Sequence, residues 1–272
     1  MEKTIGFIGA GKMAQAMIEG ILNSNLIGPE NILASAATEK TRNSINQKYN
    51  LHVTPFNKEV AKFADILIIA VKPSIHKEII AEIRNDMNAN SIVVTIAAGI
   101  TLADVEKLFG YPVKVVRTMP NTPALVGEGM TVLCPNHYIS ETEVENVEQL
   151  LNTFGKSERL PEELMDAVPA ISGSSPAYVY MLIEALADGG VRQGIPRDQA
   201  YRLGAQAVLG AARMVLETEK HPGELKDHVC TPGGATIEAV SVLEEKRFRG
   251  AILSAMDSCT KKVKSLLDVS KQ

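Results

Sequence analysis

Two glycine-bearing stretches carry the residues in this chain best suited to chemistry on an anionic ligand. Near the start, Gly9-Ala10-Gly11-Lys12-Met13-Ala14 follows the apolar run TIGFI and opens a helical pattern, which is the G-x-G-x-x-G/A spacing in its strand–turn–helix setting. Gly9 permits a tight turn, Gly11 lets backbone approach a pyrophosphate, and Ala14 lets the helix pack closely on its strand. The unbonded N–H groups of the helix start then face the anion. Toward the other end, Thr231-Pro232-Gly233-Gly234-Ala235-Thr236 leads into IEAVSVLEE, so free N–H groups and the positive end of a helix dipole meet there too. The first stretch suits a dinucleotide. The second is then free for a substrate carboxylate, with the Thr231 and Thr236 hydroxyls adding hydrogen bonds; plain helix capping is its simpler reading.

Residues around the first turn refine the cofactor. An NAD-preferring site places Asp or Glu at the end of the second strand, where the acid holds both ribose hydroxyls. NILASAATEK puts Ser35 there instead, which favours NADPH, with NADH as the alternative. Ser35 and Thr38 can donate to a 2′-phosphate while Lys40 or Arg42 supplies charge and Glu39 opposes it. The run ADILIIAV leads into Ala70-Val71-Lys72-Pro73, and SIVVTIA into Ala97-Ala98-Gly99. Open α/β sheets collect ligands beyond such strand ends, so Lys72 is placed to touch cofactor or substrate, and the small Ala97 and Ala98 let a dinucleotide lie against backbone. A surface lysine and ordinary turn chemistry are the plainer alternatives. After a further apolar strand, Arg117-Thr118-Met119-Pro120-Asn121-Thr122-Pro123 makes a rigid polar loop, in which Asn121 is the best candidate for contact with nicotinamide or substrate.

The elements that must position these residues are visible as a change of period along the chain. Up to about residue 160, short β-rich runs alternate with helical stretches: TIGFIG, a helix over 12–23, NILAS, a helix over 38–48, ADILIIAV, a helix over 75–86, SIVVTIA and KVVRTM. This alternation predicts a doubly wound, mostly parallel α/β sheet. ILIIAV and SIVVTIA are apolar at consecutive positions and belong at its centre, covered on both faces. A strand near 129–134, a helix near 141–153 opened by Ser140 and Glu143 at capping-box spacing, and a strand near 155–159 extend the sheet. After Pro161 the strand signals stop, and helices follow, broken at Gly173–Pro176, Gly194–Pro196, Pro222–Gly223 and Pro232–Gly234. The expected division is a dinucleotide-binding domain over 1–160 and an all-α substrate and dimerisation domain over 161–272. Between Asp198 and Glu217, small and apolar residues such as Leu203, Gly204, Ala207, Val208 and Val215 occupy nearly the whole helix circumference, so that helix must be buried. A helical tail of about 100 residues is too small to enclose it, and a second copy of the chain is the expected cover, in an obligate homodimer.

Bulk composition excludes several classes. The 272 residues suffice for two modest domains, and 45% hydrophobic against 22% charged side chains is ordinary globular usage that rules out disorder. With 28 basic and 32 acidic side chains the net charge is -4, which offers no broad positive field for nucleic acid or an anionic membrane surface. Cys134, Cys230 and Cys259 form no C-x-x-C pair, so neither a disulfide framework nor a zinc site is expected, and no other metal site is suggested. MEKTIGFIGAGKMA is too briefly apolar for a signal peptide or membrane span, which points to the cytoplasm.

LKDHVCTPGGATIEAVSVLE resembles the signature of pyrroline-5-carboxylate reductases, which catalyse the last step of proline synthesis. GFIGAGKMAQAMIEG, AVKP, RTMPNTPALVGEGMT and GSSPAYVYMLIEALADGGVRQG extend the likeness in the family's order and spacing, from near residue 4 to the C-terminal helix. Ser175 departs from the glycine usual in the GSSP position. The resemblance implies a Rossmann domain followed by a helical dimerisation domain whose intertwined helices complete the partner's active site, with dimers often assembling into a decameric ring. It further implies that backbone at Gly234–Thr236 holds a cyclic imino acid, that Thr236 lies near the ring nitrogen and Ser174 near the cleft, and that Lys72 and Asn121 contact the cofactor side.

Hydride attack on C5 of such a ring is easiest when the imine nitrogen is protonated, so the site needs orientation and a proton source more than a strong base. This fits the absence of any His–carboxylate pair: His52, His76, His137, His221 and His228 are scattered and read as structural, His221-Pro222 as a helix start. Glu219, just before that start, is a candidate polar contact to the iminium through water. A β-hydroxyacid dehydrogenase of similar build would require a catalytic lysine on the interdomain helix, and Pro176 to Val191 contains none. A redox sensor that binds NAD(P) without turnover would bring a DNA-binding segment or basic patch, and neither is present.

Overall fold

The computed structural model describes residues 2–270, with side chains through residue 265. It divides into two compact units, one running to Ser174 and taking in the chain from Cys259 onward, the other spanning Ser175–Ser258.

The first unit is built on β1 (Ile5–Ile8), α1 (Lys12–Asn23), β2 (Ile32–Ser35), α2 (Glu39–Tyr49), β3 (His52–Thr54), α3 (Asn57–Phe63), β4 (Ile66–Ile69), α4 (His76–Ile83), β5 (Ile92–Thr95), α5 (Leu102–Phe109), β6 (Lys114–Met119), β7 (Gly129–Pro135), α6 (Glu141–Leu151) and β8 (Gly155–Arg159). The eight strands form one sheet in the order β3-β2-β1-β4-β5-β6-β7-β8. Pairing is parallel throughout except between β6 and β7. Strand order reverses at β1, whose neighbours are β2 and β4, and a doubly wound sheet gathers ligands beyond the carboxyl ends at such a point.

Consecutive apolar residues in β4 serve two different layers. Ile66 and Ile68 join a core with Ala14, Met17, Ile18 and Ile21 of α1 and Val144, Val147 and Leu150 of α6. Leu67 and Ile69 face the opposite core, with Val60 of α3, Ile80 and Ile83 of α4, and Val105 and Phe109 of α5. Each buried isoleucine or leucine contributes roughly 1.5–3 kcal/mol. The sheet expected from the sequence is therefore present, with β4 and β5 central.

Three elements go beyond the sequence reading: β3, α3 and α5. α5 opens with a capping box in which the Thr101 hydroxyl accepts from the Asp104 N–H and the Asp104 carboxylate accepts from the Thr101 N–H, and it closes at Gly110 with φ +78°. The helix expected over 75–86 is shorter, a 3-10 turn over Pro73–Ile75 followed by α4. Ser140 and Glu143 form the capping box expected at the start of α6.

The second unit contains α7 (Ser175–Arg192), α8 (Arg197–Thr218), α9 (Pro222–Val229), α10 (Ala235–Glu245) and the start of α11 (Phe248–Ser270). No strand occurs among the described residues after Pro161. α7 and α8 pack as an antiparallel pair in which Gly204 lies against the Ile183 carbonyl and the Leu186 side chain. Only Ala187, Ala200 and Gly204 of this unit are buried. Leu203 is 60% and Leu216 78% exposed, so α8, expected to be enclosed, is bare in a single chain. No helix among the described residues is long and apolar enough to cross a membrane.

Candidate active site

The β1–α1 turn has the geometry that its glycines require. Gly9 adopts φ +91°, and a Cβ there would lie 2.7 Å from the Ala70 carbonyl oxygen, so only glycine fits against the end of β4. Its N–H donates to the Ser35 carbonyl at 3.2 Å. Gly11 is the extended N-cap of α1 and brings no side-chain cap, and a Cβ placed on it would meet nothing within 4 Å. The leading N–H groups of α1 therefore open on free space, as an anion needs. Ala14 is buried, Met13 packs on the core, Lys12 is exposed, and Gln15 holds the turn from inside by donating to the Ala10 carbonyl at 2.9 Å. The adjoining cleft of about 360 Å³ runs from this turn along Ser35–Thr38 to Thr41, Asn57 and Val71, and no carboxylate lines it among the described residues. Uncapped N–H groups and an acid-free wall fit a phosphorylated dinucleotide.

At the far end of that cleft the polar groups are already organised. The Ser35 hydroxyl is buried and donates to Asn57 Oδ1 at 2.7 Å, and Asn57 Nδ2 donates to Glu82 at 2.8 Å. Thr38 caps α2, accepting from the Thr41 N–H at 3.3 Å and sharing a 2.8 Å hydrogen bond with the Thr41 hydroxyl. Arg42 donates to the carbonyls of Ala36 and Ala37 at 2.8 and 3.0 Å, which fixes the β2–α2 loop. Lys40 is exposed. Asn57 and Thr41 were not singled out in the sequence; Asn57 reaches the cleft only because β3 and α3, which follow a weak local signal, return the chain there.

Beyond β4 and β5, Ala70-Val71-Lys72-Pro73 and Ala97-Ala98 occupy neighbouring strand ends, as expected. Lys72 is exposed, while its carbonyl lies 3.2 Å from Nδ1 of the buried His76. His76 Nε2 lies 3.0 Å from the hydroxyl of Thr95, the last residue of β5. That hydroxyl is 3.4 Å from the Ala97 N–H, and the Thr95 carbonyl accepts from Thr118 at 2.9 Å. Burial pushes the His76 pKa below its ordinary value, the Lys72 carbonyl opposing.

Asn121 is buried with its amide engaged, Nδ2 donating to the Ser172 carbonyl at 2.9 Å and Oδ1 accepting from the Met130 N–H at 2.8 Å, which leaves one Nδ2 hydrogen for a ligand. Arg117 is buried and paired with Asp166 at 2.7 Å and Glu162 at 3.3 Å. Ser174 follows a π-helical turn over Pro169–Gly173, and its hydroxyl shares a 3.4 Å contact with the Cys259 thiol.

In the second unit, Thr231-Pro232-Gly233-Gly234 is a turn closed by a 3.0 Å hydrogen bond from the Gly234 N–H to the Thr231 carbonyl. Proline at its second position and Gly233 at φ +70° at its third match a type II turn. Gly234 then caps α10 without a side chain, so the N–H groups of Ala235 and Thr236 at the start of that helix have no side-chain cap. Thr236 is half-buried. Glu219 ends α8 in the left-handed region at φ +55°, exposed, and no hydrogen bond joins it to the 231–236 turn among the described residues. His221 caps α9 by accepting from the Gly223 N–H at 3.0 Å, the helix-start role expected of it.

Comparison with known proteins adds to this geometry. The family model "Pyrroline-5-carboxylate reductase dimerisation" matches residues 162–266, and "NADP oxidoreductase coenzyme F420-dependent" matches residues 4–99. The chain is 46% identical over 266 residues to the pyrroline-5-carboxylate reductase of Escherichia coli (strain K12), covering 98% of this chain and 99% of that one. It is 40% identical over 262 residues to the pyrroline-5-carboxylate reductase of Arabidopsis thaliana, covering 96% and 95%. The crystal structure of Plasmodium falciparum pyrroline carboxylate reductase with NADP bound matches at a TM-score of 0.88 and 32% identity, covering 98% of each chain.

Proposed function

This chain belongs to the pyrroline-5-carboxylate reductase family, and we propose that it reduces 1-pyrroline-5-carboxylate to L-proline, the last step of proline synthesis, using two separate backbone seats for anions. The observation that carries the reading is that each of two helices, α1 and α10, begins uncapped behind a glycine turn. One helix start serves the dinucleotide and leaves the other for the substrate carboxylate.

When bound, NADPH supplies the hydride, with NADH as the alternative donor. Backbone from Gly9 to Ala14 holds the pyrophosphate, and the Ser35 end of the cleft takes the 2′-phosphate. Ala70–Pro73, Ala97, Ala98 and the remaining Asn121 hydrogen border the nicotinamide. The N–H groups of Gly233, Ala235 and Thr236, with the Thr231 hydroxyl, hold the imino acid by its carboxylate, while the Gly234 N–H closes the turn that presents them. Because C5 accepts hydride most readily when the ring nitrogen is protonated, the Thr236 hydroxyl holds a hydrogen bond at that nitrogen, and Glu219 and Ser174 are the candidate groups that supply or relay the proton.

The bare apolar faces of α7 and α8 support a homodimer, and a decameric ring of dimers is the larger assembly the family likeness suggests. The domain division over 1–160 and 161–272 belongs to this reading. So does a cytoplasmic location, which three unpaired cysteines suit. Supplying purified protein with NADPH and pyrroline-5-carboxylate should form proline in step with NADPH consumption. Failure to form proline would refute the activity, whereas an unchanged Thr236→Ala variant would refute only the assigned role of Thr236.

A further inference from the structure

His76 joins the two loops that the proposed function places against the nicotinamide. Its Nδ1 faces a backbone carbonyl, that of Lys72 at 3.2 Å, which can only accept. Nδ1 therefore carries the proton, and Nε2 is left as an acceptor for the Thr95 hydroxyl at 3.0 Å. With its hydrogen directed at His76, the Thr95 oxygen faces the Ala97 N–H at 3.4 Å with a free lone pair. A directed series results: Ala97 N–H to Thr95 Oγ1, Thr95 O–H to His76 Nε2, His76 Nδ1–H to the Lys72 carbonyl. The imidazole is 1% exposed and its neutral form is favoured by burial, so this arrangement is held in one tautomer.

We propose that His76 is a positioning residue that sets the spacing between the Lys72–Pro73 loop after β4 and the Ala97–Ala98 loop after β5, and so holds the nicotinamide half of NADPH in register. The inference rests on the reading that both loops border the dinucleotide. A rigid link between two loops matters more to ligand geometry than to the fold, because β4 and β5 are already paired through Ile69 and Thr95 by their own ladder.

Three measurements test it. Nitrogen NMR of the wild-type chain without cofactor should give a neutral His76 protonated on Nδ1 at pH 7; an imidazolium or an Nε2–H tautomer overturns the proposal without any variant. In fluorescence titrations, Thr95→Val should weaken NADPH binding roughly ten-fold, the scale for an unpaired buried hydrogen-bonding group. Thr95→Ser, which keeps the hydroxyl, should recover affinity to within about two-fold of wild type. In kinetics, Thr95→Val and His76→Gln should move the KM for NADPH and leave the KM for the imine at saturating NADPH unchanged, a split that general destabilisation would not produce. Ala97→Leu separates the loop assignment from the role of His76. If it abolishes NADPH binding while Thr95→Val binds like wild type, the role of His76 falls and the loop assignment stands. If Ala97→Leu binds NADPH normally, the loop assignment falls and takes the proposal with it.

Discussion

Ser35, at the end of β2, donates its buried hydroxyl to Oδ1 of Asn57 across 2.7 Å. An acid at this strand end would hold both ribose hydroxyls and repel a 2′-phosphate; here the wall is a neutral hydroxyl–amide pair. Asn57→Asp keeps an acceptor for Ser35, removes the Nδ2 donor to Glu82 and adds negative charge. NADPH should then bind roughly ten-fold more weakly, with NADH little affected, since only the former brings charge to that end. Steady-state KM values for the two cofactors check this; an equal change in both would place the 2′-phosphate elsewhere.

Gly9→Ala puts a Cβ 2.7 Å from the Ala70 carbonyl oxygen on a residue at φ +91°. Relieving that contact means moving the turn off the end of β4, at a cost of about 1–3 kcal/mol. The thermal midpoint should fall and NADPH binding should be lost, because the displaced turn is the one that carries the free N–H groups. Gly11→Ala, with open space around its Cβ, should spare stability and weaken only the cofactor.

Acid should act on the fold through His76. Burial holds its pKa below the ordinary 6.5, and unfolding returns the imidazole to that value. Between the two values the unfolded chain binds more protons, so stability rises with pH there. The contribution is complete above pH 6.5 and is lost as pH falls from there through the lower folded value. Thermal midpoints recorded on acidification should decline, and His76→Gln should flatten that decline; an identical slope in the variant would remove His76 as its source.

The second unit should not be stable alone. With only Ala187, Ala200 and Gly204 buried, it depends on a partner surface, and mass action then makes stability concentration-dependent. Urea unfolding midpoints should fall on dilution, together with a shift from dimer to monomer in sedimentation. A midpoint independent of concentration would contradict the homodimer.

The sheet was legible wherever a residue run had to satisfy two cores at once: ILII, and the IVV of the next strand, can be apolar at every position only because helices cover both faces. Both uncapped helix starts were legible because a helix start behind glycine is a local feature. The direction of β7 was not, since nothing in GMTVLCP records whether its neighbour runs alongside or against it. β3 is three residues long, too short for a period to register, and with it went α3 and the placement of Asn57. The capping box of α5 is carried by TLAD, a four-residue signal with no apolar run long enough beside it to mark a helix. His76 was read as structural because its partner Thr95 lies nineteen residues away, and only the pairing of β4 with β5 brings the two together.

In the proposed site, the turn ahead of α10 holds the substrate by its carboxylate. The direct test compares kcat/KM for pyrroline-5-carboxylate with that for 1-pyrroline, the same ring without the carboxylate, at saturating NADPH. Loss of a charge-assisted set of backbone hydrogen bonds predicts a fall of at least about a hundred-fold for 1-pyrroline. Equal efficiency on both rings would contradict a carboxylate seat at that turn.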